Sequence, residues 1–136
     1  SKPIRSMLDY VQQNWSVDAE HILLTGLSDG ATFALLCGLQ QDSPFTHLAA
    51  LSGVLHPENF INGNISRASG KPVYLVHGSL DWMFPIESAY MARDELTKAG
   101  ADLVFREIGD LSHNYARAEN DPILTWFNPL LSLPQD

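Results

Sequence analysis

Four short runs constrain this chain more than anything else in it: His21 to Thr25, Thr46 to Ser52, Pro72 to Val76 and Asp102 to Ile108. Their apolar character is nearly continuous instead of alternating, and glycine or proline bounds them, so each reads as a short strand buried on both faces. Helical patterns lie between and around them. Ile4, Met7, Leu8 and Val11 recur at helical spacing behind Pro3, which predicts an amphipathic helix from Pro3 to about Asn14. The stretch from Asp29 to about Leu39 is apolar on nearly all sides and predicts a buried helix. Ala89, Ala92, Leu96 and Ala99 form a stripe that Gly100 ends as a C′ residue, and a last helix is expected over Pro122 to Leu130. Strands alternating with helices place the chain in the α/β class, with a mostly parallel sheet covered by helices on both faces. Asn59 to Gly70 is polar and glycine-bearing and reads as a mobile crossover.

Composition narrows the partners. A chain of 136 residues with 45% hydrophobic content can bury a core of its own. Acidic residues outnumber basic ones 16 to 8, and a formal charge of −8 repels phosphate backbones and anionic membrane surfaces, so nucleic acid is excluded as a partner. No apolar run approaches the roughly 18 residues that a membrane helix needs, so no membrane span is expected. The single cysteine, Cys37, falls inside an apolar helix pattern and cannot build a disulfide framework, which fits a cytoplasmic protein. Because the chain opens at Ser1 without a methionine and runs directly into a helical pattern, a part of the natural protein is expected upstream, and export is left open.

In parallel sheets the chemistry collects beyond the carboxyl ends of the strands. After the first run comes "GLSDG", Gly26 to Gly30, with one serine between two glycines where a strand gives way to a helix. By chance alone such a spacing arises in about one chain in twenty of this length, but the strand before it and the helix after it are what a nucleophile elbow requires. A serine on so sharp a turn has unfavourable backbone geometry, and side chains at the flanking second positions are expected to collide with strand and helix; glycine removes the collision. The turn also sets the backbone N–H of Asp29 at a helix N-terminus, where it can face a developing oxyanion. The Asp29 carboxylate is expected to point away.

Beyond the third run, "VHGSLDWMFP" puts Asp81 in a loop, and beyond the fourth, "IGDLSHNYA" puts His113 at the same end of the sheet. A serine hydroxyl needs an imidazole to take its proton, and the imidazole needs a carboxylate to fix its tautomer. Ser28, Asp81 and His113 supply all three, in the order serine, acid, histidine.

These segments resemble the α/β-hydrolase fold, and "LSGVLHP", Leu51 to Pro57, further resembles the phospholipase/carboxylesterase and dienelactone-hydrolase-like esterases. The resemblance implies a serine hydrolase that cleaves small-molecule carboxylic esters or thioesters without a cofactor. It further implies one α/β-hydrolase domain over residues 1–136 that corresponds to the C-terminal half of such an enzyme. Members of the fold carry several strands before the elbow, including one whose following loop supplies a second oxyanion donor. The strand at His21 to Thr25 is therefore expected to be an apolar edge that pairs in a homodimer or with the missing N-terminal half. Ser112 departs from the family, which commonly has glycine before the histidine.

Other residues compete for these roles or flank them. Asp110 is the rival acid, being nearer His113 in sequence, while Asp94 and Asp102 fall within or at the start of regular elements. His56, Trp82 and Met83 are candidates for the substrate pocket, and Trp82, Met83 and Phe84 can wall the acid loop or simply pack it. His77 reads as a structural hydrogen-bonding residue, and His21 and His47 as strand-edge residues. No two histidines have ligand spacing, so no metal is expected. Two further readings are a serine peptidase of the prolyl-oligopeptidase type and an inactive hydrolase-fold module that binds a partner.

Overall fold

The computed structural model describes residues 2–131. Helix α1 (Lys2–Asn14) precedes strand β1 (Leu23–Leu27), and α2 (Asp29–Gly38) leads to β2 (His47–Leu51). A short helix α3 (Glu58–Ile61) and a 3-10 turn (Asn64–Ala68) cross to β3 (Pro72–Gly78). Then come α4 (Ile86–Lys98), β4 (Asp102–Ile108), a 3-10 turn (Arg117–Glu119), α5 (Asn120–Phe127) and a last 3-10 turn (Pro129–Leu131). The strands form one parallel sheet in the order β1-β2-β3-β4, with β1 and β4 at its edges. Every connection returns the chain to the same end, so the four carboxyl ends share one rim.

Both faces of the sheet are covered, as continuous apolar strands require. Leu48 and Ala50 of β2 and Val73 and Leu75 of β3 pack with Ala31 and Leu35 of α2 and Ala92 and Leu96 of α4. Ile4 and Leu8 of α1 close the same layer. Their alternates Ala49, Leu51, Tyr74 and Val76 face the other way, against Ile123 and Trp126 of α5. Gly100 ends α4 at a φ of 93°, which only glycine adopts without strain.

Several elements differ from the sequence reading. The first strand runs Leu23–Leu27, not His21 to Thr25. Ile22 is held instead by Thr46, whose Oγ1 accepts from the Ile22 amide at 2.8 Å, and Gly26 is a strand residue that pairs with Ala50. Strand β3 continues past Val76 to Gly78, because Gly78 still pairs with Ile108. Helix α5 stops at Phe127 since Pro129 forces Asn128 into extended backbone (φ −152°, ψ 105°). The segment from Asn59 to Gly70 is not a featureless crossover: it carries most of α3 and a 3-10 turn and buries Asn59 and Ala68 completely. Helix α2 is also less buried than its pattern suggests, with Phe33 43% exposed.

Candidate active site

Ser28 is the first residue beyond β1, and its backbone sits at φ 59° and ψ −121°, a region that L residues avoid. Hydrogen bonds on both sides hold it there. Its amide donates to the Leu51 carbonyl at 2.8 Å, and its own carbonyl accepts from Ala31 (2.9 Å) and Thr32 (3.1 Å) to start α2. The turn is sharp enough that a Cβ on Gly26 would lie 2.2 Å from the Gly30 carbonyl oxygen. The two glycines are not equivalent, however. A Cβ on Gly30 would meet nothing within 4 Å, so the expected collision exists at the first position and not at the second.

The acid and histidine loops are laced together before their side chains meet. Ser79 and Leu80 donate backbone N–H groups to the carbonyls of Ile108 (2.9 Å) and Leu111 (3.0 Å). This brings His113 over the rim, where its Nε2 accepts from the Ser28 hydroxyl at 2.8 Å. The opposite ring nitrogen, Nδ1, donates to Asp81 Oδ2 at 2.7 Å. One tautomer satisfies both bonds, with the proton on Nδ1 and the lone pair facing the serine.

Asp81 is anchored from all sides, and its side chain is wholly buried. Oδ1 accepts from the amides of Met83 (2.9 Å) and Phe84 (2.7 Å) while Oδ2 accepts from His113. Burial pushes the carboxyl pKa up, but the bonds from His113, Phe84 and Met83 outweigh it and hold the group below its ordinary value. It therefore stays a carboxylate beside an imidazole, which is the state that can orient and stabilise that ring.

The remaining candidates are placed as follows. Asp110 is exposed and makes no bond to His113, and Asp94 pairs with Arg93 instead. Trp82 and Phe84 both present edge contacts to the His113 ring, at centroid distances of 6.2 and 5.4 Å. Trp82 remains 74% and Met83 45% exposed, so neither is packed inside the fold. His56 is half-buried, and its Nδ1 accepts from the Glu58 amide at the start of α3. The Asp29 side chain is exposed, and its backbone N–H has no partner among the described residues. Ser112 is not in the positive-φ region that Ser28, Asp42 and Ser52 occupy, so a serine fits where a glycine is common. Ser79, another serine on the rim, is turned away and donates to Glu107.

His21 and His47 lie at the opposite end of the sheet. His21 bonds to Asp18 at 2.7 Å, and His47 packs against the edges of Trp126 and Phe127. The described residues contain no group of three or more His, Cys, Asp or Glu side chains arranged to hold a metal ion, and no helix long and apolar enough to cross a membrane. His77 makes a hydrogen bond within the fold, in line with the structural role read from the sequence, and its partner is one that the sequence does not name. His77 lies inside β3, is 2% exposed, and its Nε2 donates to the Phe84 carbonyl at 2.7 Å.

Solved structures share this architecture. The esterase PE8 is 28% identical to the chain and superposes with a TM-score of 0.73, covering 91% of this chain and 56% of its own. Arabidopsis thaliana SOBER1 is 24% identical, with a TM-score of 0.79 over 96% of this chain and 62% of its own. The Pyrococcus horikoshii acylaminoacyl peptidase is 16% identical, with a TM-score of 0.74 over 96% of this chain and 27% of its own. The chain thus spans less than two thirds of the length of each of these proteins. The profile of the phospholipase/carboxylesterase family matches residues 1–128, and with the parallel sheet and the elbow in place the chain belongs to that α/β-hydrolase family.

Proposed function

We propose that this chain carries the catalytic residues of a serine hydrolase that cleaves small-molecule carboxylic esters or thioesters through an acyl-enzyme. The reading rests on one observation above all, the unbroken relay from Ser28 Oγ to His113 Nε2 (2.8 Å) and from His113 Nδ1 to Asp81 Oδ2 (2.7 Å). In this reading Ser28 attacks the acyl carbonyl as His113 takes its proton, and His113 returns that proton to the leaving group. Asp81 holds the ring tautomer and balances the imidazolium, and the unpartnered Asp29 amide at the start of α2 receives the oxyanion. Water then repeats the sequence to release the acid. Trp82 and Met83 form one wall at the entrance, and His56 is a further candidate for the substrate pocket. A single buried cysteine fits a cytoplasmic setting.

Strand β1 is an edge, and we assign it to pair either with further strands of a longer chain or with a second copy. Light scattering that finds a monodisperse monomer of this chain, with no second chain bound, counts against this pairing.

A fluorophosphonate probe tests the chemistry directly. Wild-type protein is expected to label, Ser28→Ala to lose labelling and Ser112→Ala to keep it. Absence of labelling in the wild type would leave a partner-binding module as the better reading. The fold likeness to a peptidase is tested by rates, since short-chain esters turning over faster than peptides disfavour peptidase activity.

A further inference from the structure

We infer that His77 is a positioning residue that holds the acid of the relay in place, an inference that rests on the assignment of Ser28, His113 and Asp81 above. His77 cannot touch substrate, because it lies within β3 and is 2% exposed. Its influence runs through the turn that follows. The ring Nε2–H donates to the carbonyl of Phe84 at 2.7 Å and stands 3.4 Å from Asp81 Oδ2.

Phe84 is the residue on which the acid loop converges. Its amide donates to Asp81 Oδ1 at 2.7 Å, and its ring meets the His113 ring edge-on at 5.4 Å. By pinning the Phe84 carbonyl, His77 fixes at once one hydrogen bond to the catalytic carboxylate and one wall of the catalytic imidazole. The same ring nitrogen lies close to Asp81 Oδ2, the carboxylate oxygen that His113 uses. The strand is among the best-anchored parts of the molecule, paired on both sides by β2 and β4, so this pin transmits the rigidity of the sheet to a loop otherwise held by its own turns and by its bonds to the histidine loop.

Removing the pin leaves the Phe84 carbonyl without its donor and lets the turn shift. Displacements of about 1 Å in such a relay reduce turnover by up to about 100-fold. His77→Leu in the full chain is therefore expected to lower kcat about 10- to 100-fold with KM within about twofold. His77→Gln, whose amide nitrogen reaches the position of Nε2, is expected to recover most of the loss. His77→Asn keeps a polar group but withdraws it from Phe84; it is expected to behave like the leucine variant and takes its place if that variant does not fold.

A second readout does not depend on turnover. In protein with isotope-labelled histidines, the low-field ring N–H signal that His113 donates to Asp81 is expected in wild type and His77→Gln, and lost or shifted in His77→Leu and His77→Asn. Wild-type rates and an unmoved His113 signal in the folded leucine or asparagine variant would overturn the positioning role. A His113 signal that responds to His77 in a protein that shows no labelling or hydrolysis would instead uphold the positioning role and overturn the hydrolase reading.

Discussion

A Cβ added to Gly78 would stand 2.1 Å from the carbonyl oxygen of Leu111, so the loop that delivers His113 rests directly on the backbone that leads to Asp81. No side chain fits between the two. Gly78→Ala must therefore lift the histidine loop or bend the end of β3, and both responses separate His113 from its partners. The expected result is a loss of about 1–3 kcal/mol of stability, as for overpacking elsewhere, with a fall in fluorophosphonate labelling. Urea unfolding and labelling rates on the same sample check it.

The elbow glycines separate by the same kind of test. Gly26→Ala drives a methyl group into the first turn of α2 and is expected to destabilise strongly and abolish labelling. Gly30→Ala meets open space at the start of a helix and is expected to leave stability unchanged or raise it by up to about 1 kcal/mol. Comparable losses in the two variants would contradict this difference.

Asp81→Asn keeps the size of the side chain but removes its charge. An amide cannot stabilise the imidazolium, and it favours the wrong tautomer of His113. Turnover is expected to fall by about 10⁴-fold with little change in KM, measured with a chromogenic ester at saturating concentration.

Stability should depend on pH in two separate windows. Burial, the charge of His21 and that of Lys71 hold the His47 pKa below its ordinary value of 6.5, so the unfolded chain binds more protons there than the folded one. Stability from this residue is complete above pH 6.5 and lost as pH falls from there through the lowered folded value. Asp81 acts at more acid pH, its contribution present above 3.8 and lost as pH falls through its own lowered value. Denaturation midpoints measured from pH 7.5 to 3 should therefore decline in two stages, and His47→Gln should flatten the first without touching the second.

The sequence by itself determined the class of fold and pointed to the residues that meet in the relay. Continuous apolar strands have no solvent face to offer, so they imply a covered parallel sheet, and the serine, acid and histidine can be read off the ends of three strands. Local pattern could also place Gly100 at a helix end, because a single residue's backbone freedom decides that. What only the tertiary structure decided is every relation between distant segments. Asp81 rather than Asp110 holds His113, since the acid loop and the histidine loop bond to each other across β3 and β4 while Asp110 faces solvent. Gly26 is a strand residue and not a turn, since its missing side chain makes room for α2. His77 shows the limit most plainly: its burial beneath the acid loop depends on the pairing of β3 with neighbours on both sides, and no spacing within "VHGSLDWMFP" reveals which carbonyl its ring will meet.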